Sequence, residues 1–141
     1  MILIDTNVIS EPMRPLPEPA VLLWLDRQKV ERLFLASTSL AEILTGISIM
    51  PDGQRKYEMQ EDVEEHVARF FSGRILPYDE RAARIYAQLY SDARTRGRSI
   101  SMPDCQIAAI AESNGMIVAT RDVKPFRGVG LRVVNPWEGG A

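Results

Sequence analysis

Four short, mainly apolar runs, separated by longer helical patterns, are the feature of this chain that most limits its fold. The runs are Ile2–Ile4, Leu33–Ala36, residues 116–119 and residues 131–134. A continuously apolar run suits a strand that is buried on both faces, as the strands of a parallel sheet are. Strands that alternate with helices build parallel βαβ units with right-handed crossovers. The sequence therefore predicts a three-layer α/β/α domain around a central, mainly parallel twisted sheet.

The intervals between these runs are mostly helical in pattern. From Gln54 to Phe71, apolar residues recur every three or four positions and acidic residues fill the opposite face, as in an amphipathic helix. Further helices are predicted over residues 21–29, 40–47, 79–97 and 101–114. Two segments are predicted to be non-helical: a loop over residues 11–19, which contain four prolines, and a short extended link over residues 75–77.

Length, composition and charge bound the class of protein. A chain of 141 residues with 45% hydrophobic and 26% charged residues is ordinary for one soluble globular domain, predicted to span residues 1–141. No apolar run reaches the length of a membrane span, and no basic region precedes the first strand, which favours the cytoplasm over secretion. The formal net charge of −2 does not indicate a nucleic-acid-binding protein, so a polyanionic substrate would have to meet local basic groups or bound cations.

Cysteine and histidine each occur once, which removes several kinds of chemistry. Cys105 can form neither an internal disulfide nor a cysteine-based zinc site, and it is interpreted as a packing residue. His66 cannot supply a histidine-rich metal site, and a Ser–His–Asp triad is a poor hypothesis for this chain. The reactive groups must therefore be sought among other side chains.

Four acids stand just after predicted strands or near the starts of the following helices. They are Asp5, Glu42, Asp104 and Asp122. Ligands of open α/β sheets bind beyond the carboxyl ends of the strands, where such acids would meet. Clustered carboxylates raise one another's pKa and destabilise the fold unless a cation intervenes. A hard divalent ion, Mg²⁺ or Mn²⁺, is the natural partner for oxygen ligands.

Each of these acids also has a purely structural interpretation. Ser39 with Glu42 fits a capping box, and so does Ser101 with a shorter acid at position 104. Asp5 and Asp122 could serve as turn or cap residues. The joint placement of all four at one edge favours a metal site over four independent caps. Such a site suits phosphodiester hydrolysis, because divalent ions can lower the pKa of a water molecule and stabilise the leaving oxygen.

The order of these residues resembles a known family. The segments Asp5-Thr6-Asn7, Ala41-Glu42, Asp104 and Thr120-Arg121-Asp122 resemble a PIN domain, and more narrowly a VapC-type toxin of a bacterial toxin–antitoxin pair. The first twelve residues, the Gly-Arg-Ile-Leu-Pro stretch at 73–77 and the Asn-Pro-Trp at 135–137 are most similar to the FitB branch. The resemblance runs nearly end to end.

The resemblance implies a function and a set of site residues. It implies a Mg²⁺- or Mn²⁺-dependent ribonuclease in which Asp5 and Asp104 are the chief metal ligands. Glu42 and Asp122 would complete the acidic pocket, directly or through water. Two polar residues would orient the acids or the water by hydrogen bonds, Asn7 and Thr120. RNA hydrolysis by water, with inversion at phosphorus, is the implied reaction.

The resemblance also implies partners. Similar toxins form homodimers and bind a cognate antitoxin whose tail covers the acidic pocket. In pairs of the FitB kind, the antitoxin has a ribbon-helix-helix domain that binds operator DNA. A homodimer, a cognate antitoxin and an RNA substrate, with no membrane partner, are therefore the expected partners.

Two alternatives and one basic cluster remain open at this point. A phospho-accepting receiver domain also places acids at strand ends, but it needs adjacent acids after the first strand, which this chain lacks. A DNA-bound corepressor role with the antitoxin, with weak or conditional nuclease activity, is the second alternative. Three arginines near the end of the helix at 79–97 complement its dipole and could also hold a phosphate backbone: Arg94, Arg96 and Arg98.

Overall fold

A five-stranded parallel sheet organises the described part of the chain. The computed structural model describes residues 1–139, so residues 140 and 141 of the predicted domain lie outside it. Every neighbouring pair of strands in the order β3-β2-β1-β4-β5 is parallel. The strands are β1 Ile2–Ile4, β2 Leu33–Ala36, β3 Ile75–Leu76, β4 Ile117–Ala119 and β5 Val133–Val134. This topology confirms the predicted α/β/α class with a parallel central sheet.

Seven α-helices connect or cover these strands within residues 1–139. They are α1 Thr6–Ser10, α2 Pro19–Arg27, α3 Ser37–Ser48, α4 Gln54–Phe71, α5 Glu80–Thr95, α6 Met102–Ser113 and α7 Val123–Gly128. Short 3₁₀ turns lie at Glu11–Met13, Val30–Arg32 and Pro136–Glu138. The helix predicted over residues 54–71 is observed with the same bounds.

The two faces of the sheet bury two separate apolar clusters. Alternate residues of β1 point to opposite faces, so Ile2 and Ile4 pack in one cluster and Leu3 packs in the other. The first cluster is completed by α2, α3 and α4, where Trp24 is a buried anchor as predicted. The second is completed by α5, α6 and α7, and it contains the buried Cys105. Helices therefore cover both faces, and only the edges of the sheet remain for a site.

Two elements were not anticipated as such from the sequence. The stretch Ile75–Leu76, predicted to be a link, is an edge strand that pairs with β2, because Leu35 and Ala36 offer it free backbone groups. The helix α7, Val123–Gly128, was not predicted at all. It buries Phe126 completely in the second cluster. One buried side chain in a six-residue helix is too few to give the sequence a helical periodicity.

The start of α3 differs from the predicted capping box. The strand β2 ends at Ala36 and α3 begins at the next residue, so Ser39 lies inside the helix and not at its cap. Ser39 is fully buried, and its hydroxyl has no hydrogen-bond partner among the described residues. The predicted cap with Glu42 is therefore wrong, because no loop separates the strand from the helix.

A buried glutamate orders the proline-rich segment between α1 and α2. One carboxylate oxygen of Glu11 accepts a hydrogen bond from the backbone N–H of Glu18 at 2.9 Å, and the other lies 3.2 Å from the guanidinium of Arg14. Glu11 itself begins a 3₁₀ turn, so the predicted loop is limited to residues 14–18. None of the helices within residues 1–139 is long and apolar enough to cross a membrane.

The packing of β2 predicts a large effect of truncation in the core. Leu35 is fully buried between β1 and β3, so Leu35→Ala should lower the free energy of unfolding by about 2–5 kcal/mol. The matched control is Leu23→Ala on α2, where the side chain is 50% exposed and the change should be within about 0.5 kcal/mol. Urea unfolding of both variants measures the difference, and equal effects would contradict the burial assigned to Leu35.

Candidate active site

The carboxyl ends of β1 and β4 meet at one edge of the sheet and form the floor of the candidate site. Ile4 is paired with Ala119, and the backbone N–H of Asp5 donates to the carbonyl of Ala119 at 2.9 Å. The residues that follow these strands, Asp5 and Thr120, are therefore neighbours. Parallel strands place their carboxyl ends at the same edge, which is where the sequence predicts the site.

Asp5 is a buried carboxylate held by two hydrogen bonds. Asp5 is only 5% exposed to solvent. Oδ1 accepts from the backbone N–H of Thr6 at 2.7 Å, and Oδ2 accepts from the hydroxyl of Thr120 at 2.8 Å. Burial raises the pKa of Asp5 from 3.8 to about 6, against the lowering effect of these two hydrogen bonds. The negative charges of Asp104 and Glu42 raise that pKa further.

Asp104 enters the site from a different layer of the fold. It lies in the first turn of α6, where its backbone N–H donates to the N-cap hydroxyl of Ser101 at 3.2 Å. This half of the predicted capping arrangement is confirmed. Partial burial raises the pKa of Asp104, the Ser101 hydroxyl opposes that rise, and the charge of Asp122 adds to it. The carboxyls of Asp104 and Asp122 are therefore close enough to interact electrostatically.

Glu42 and Asp122 form the exposed rim of the pocket. Glu42 lies in the second turn of α3, one turn later than predicted, because the helix begins directly after β2. A long contact of 3.4 Å joins the hydroxyl of Thr6 to its Oε2. Asp122 precedes α7 but makes no side-chain cap, so its carboxylate is not used to start that helix. Both acids are exposed to solvent.

Thr120 and Asn7 connect the acids to the backbone around them. The buried hydroxyl of Thr120 donates to Asp5 and accepts from the backbone N–H of Asp122 at 3.1 Å. The amide of Asn7 approaches that hydroxyl at 3.5 Å, and its carbonyl oxygen accepts from the backbone N–H of Arg121 at 3.4 Å. These contacts tie α1 to the turn after β4, so the structure brings all six predicted site residues to one edge of the sheet.

Arg121 is a neighbour of the site that sequence reasoning did not single out. Its guanidinium lies 5.2 Å from the centre of the Trp137 ring, in a cation–π geometry. Its position between Thr120 and Asp122 was the available signal. The sequence could not reveal that the C-terminal Trp137 folds back to meet it.

The donor set of the site consists of oxygen atoms. Among residues 1–139, none of the four carboxylates forms a salt bridge with a lysine or arginine. Burial chiefly, and the charges of neighbouring acids to a lesser degree, raise the pKa values of Asp5 and Asp104. A divalent cation would offset both effects. Within the same residues, no three acidic, histidine or cysteine side chains stand close enough together to hold an ion as placed. The chemistry of the donors fits a hard cation, and the spacing is wider than that of a closed metal site.

Comparison with known proteins places this chain in a family. The model of the PIN domain matches residues 2–130. Over 138 residues, covering 98% of this chain and 99% of each relative, the chain is 46% identical to plasmid stability protein StbB of Pseudomonas syringae and 45% identical to VapC ribonuclease Y4jK of Sinorhizobium fredii. It is 44% identical to toxin FitB of Neisseria gonorrhoeae over 97% of this chain and 99% of that protein. The structure of FitAB bound to an IR36 DNA fragment superposes with a TM-score of 0.92 at 44% identity, covering 97% of this chain and 96% of that one.

The raised pKa of Asp5 predicts a pH-dependent stability of the metal-free protein. A carboxyl whose pKa is higher in the folded state binds a proton more tightly there, so folding is penalised as pH rises from about 4 through about 6. The free energy of unfolding should therefore fall by roughly 2–3 kcal/mol from this group over that interval. Asp5→Asn should remove this component, as measured by urea unfolding in chelator at several pH values. The same pH dependence in both proteins would contradict the assignment.

The hydrogen bond from Thr120 predicts a second effect on the same carboxyl. Thr120→Val keeps the side-chain shape but removes the donor to Asp5 and the acceptor for the Asp122 N–H. We expect a loss of about 1–3 kcal/mol in the free energy of unfolding at pH 8 and a further rise in the pKa of Asp5. Thr120→Ser, which retains the hydroxyl, is the matched control. Unchanged stability of the valine variant would show that the hydroxyl is dispensable.

Proposed function

The chain belongs to the PIN-domain family, together with VapC and FitB toxins, and from this premise we propose that it is a divalent-metal-dependent ribonuclease toxin restrained by a cognate antitoxin. Residues 1–141 would act as one PIN domain. The match to a protein named VapC ribonuclease over nearly the whole chain supports this proposal. The single observation that carries it is the buried Asp5 carboxylate, which feels the charges of Asp104 and Glu42 and has no salt bridge with a cationic side chain among residues 1–139.

The four acids would have two different roles in binding a cation. Asp5 and Asp104 would be the chief ligands, because they are the two more buried acids and because burial, with a smaller contribution from neighbouring acids, raises the pKa of each. Glu42 and Asp122, which are exposed and form no salt bridge among the described residues, can turn toward an ion directly or through water. Their movement toward a bound ion would narrow the open spacing of the pocket.

The polar residues around the acids would position them for reaction. Thr120 keeps Asp5 oriented through a 2.8 Å hydrogen bond and fixes the backbone before Asp122. Asn7 would hold the turn after β4 in place through its contact with the Arg121 N–H. When bound, Mg²⁺ or Mn²⁺ would supply charge neutralisation and an acidified water for in-line hydrolysis of an RNA phosphodiester.

Partners follow from the same relatives. The FitAB structure is a complex with DNA, which supports a cognate antitoxin as a partner of this chain and operator DNA as a ligand of the pair. A ribbon-helix-helix antitoxin and a homodimeric toxin are the forms that we propose for this assembly. An antitoxin that covers the pocket would inhibit the enzyme by excluding RNA from the acids.

The direct test is cleavage of a mixed RNA pool by the purified protein without antitoxin, in Mg²⁺, in Mn²⁺ and in chelator. Asp5→Asn and Asp104→Asn should each lower the rate by roughly 100-fold or more, since each removes a charge placed for the reaction. Asp26→Asn is the matched control, because Asp26 is exposed on α2, outside the site. A folded Asp5→Asn protein that still cuts RNA at the normal rate would refute the proposed role of Asp5.

A corepressor role without appreciable nuclease activity is the second candidate. The observation that favours it is that the FitAB relative is bound to DNA. The same cleavage assay separates the two proposals. Binding of Mn²⁺ by titration without cleavage of any RNA in the pool would favour the corepressor role, whereas metal-dependent cleavage that is lost in Asp5→Asn would favour the nuclease.

A further inference from the structure

A second concave region lies directly beside the acidic pocket. A cavity of about 540 Å³ opens between the end of α5 and the helix α7. Its lining includes Arg98, Ile100, Asp122, Lys124, Arg127 and Val129. Asp122 therefore belongs both to the rim of the acidic pocket and to this cavity, so a ligand that fills one reaches the other.

Three cationic side chains line this cavity: Arg98, Lys124 and Arg127. All three residues are exposed, and none forms a salt bridge with a carboxylate in the part of the chain that the structure describes. Arg98 is held in place, because its Nη1 donates to the carbonyl of Gly128 at 3.0 Å. The cavity is thus a preformed concentration of positive charge on a chain whose net charge is −2.

Structural roles account for only part of this cluster. A cation near the C-terminal end of a helix is stabilised by the helix dipole, which explains Arg127 in the last turn of α7 and Arg98 at its final carbonyls. Lys124 lies in the first turn of α7, at the positive end of the dipole, where a cation is unfavourable. The helix dipole therefore accounts for Arg98 and Arg127 but not for Lys124.

We propose that this cavity is a substrate subsite that binds the phosphodiester backbone of single-stranded RNA beside the scissile bond. The inference rests on the nuclease activity proposed above. An RNA strand that approaches four carboxylates is repelled unless cations near the pocket offset that charge. A six-residue helix is about 9 Å long, so Lys124 and Arg127 lie within reach of a strand whose reactive phosphate is at the acids.

The size and the lining of the cavity suit a segment of a single strand. Its volume is in the range of pockets that take a nucleotide-sized group. Two apolar residues of the lining, Ile100 and Val129, offer contact for a sugar or a base in the same cavity as the cations. Proteins that bind single strands combine a basic groove with such contacts. Arg98 would be a binding residue in addition to its contact with α7.

The test measures RNA affinity as a function of salt. The full chain carrying Asp104→Asn, which is expected to slow cleavage, is titrated with a labelled single-stranded RNA pool at fixed Mg²⁺ and increasing NaCl. Adding Lys124→Gln and Arg127→Gln together should weaken binding on the order of 10-fold at low salt. It should also reduce the magnitude of the salt slope by about 1.4, since each phosphate contact on a single strand contributes about 0.7.

A matched pair of substitutions separates this subsite from general charge. Lys29→Gln with Arg32→Gln removes the same two charges from exposed residues that precede β2, at the opposite edge of the parallel sheet. This control should keep the affinity and the slope of the Asp104→Asn protein. In the cleaving protein, the Lys124/Arg127 pair should raise KM with kcat nearly unchanged, because the contact is made equally in the ground and transition states.

Each other outcome overturns the subsite in a distinguishable way. Equal loss of affinity in both pairs would mean that only overall charge matters, and no loss in either would mean that the RNA runs elsewhere while the nuclease stands. If the Lys124/Arg127 pair keeps RNA affinity but loses binding to a synthetic polyglutamate peptide, the cavity is a site for an acidic polypeptide. If the unsubstituted protein neither binds nor cuts RNA, the proposed function fails together with the subsite.

Discussion

The burial of one carboxylate at the end of the first strand is the interaction on which the rest of the site depends. Asp5 is placed there by the β1–β4 pairing and is retained by hydrogen bonds from Thr6 and Thr120. Burying a charged group is unfavourable, and two hydrogen bonds only partly compensate, as the pKa of about 6 indicates. The fold therefore keeps an unfavourable group at the carboxyl end of its first strand, as functional sites commonly do.

The parallel sheet explains why several acids share this place. Parallel strands put all of their carboxyl ends at one edge, and the helices that follow begin at the same edge, so β1, α3 and the turn after β4 deliver their acids together. Asp104 arrives from α6 and couples to Asp122. The two covered faces hold the apolar clusters, so they stabilise the fold while the edge carries the charge.

Negative and positive side chains are separated around the pocket. Four acids form the pocket, and three cations line the adjoining cavity, with Asp122 as their common boundary. The overall charge of −2 conceals this division, because the two groups nearly cancel in the sum. An anionic polymer would be repelled by the average surface and still find a local path to the acids, which is the arrangement that the proposed ribonuclease requires.

The sequence by itself determined the α/β/α class, the bounds of α4 and the edge at which Asp5 and Asp122 would lie, because apolar runs and helical periodicity are local signals. It did not determine the edge strand β3 or the helix α7, whose short segments are defined by what they pair with or pack against. Nor could it reveal that Ser39 is buried within α3, or that Arg98 meets Gly128 across 30 residues. Such contacts join residues that are far apart in the sequence, so only the tertiary structure decided which of them meet.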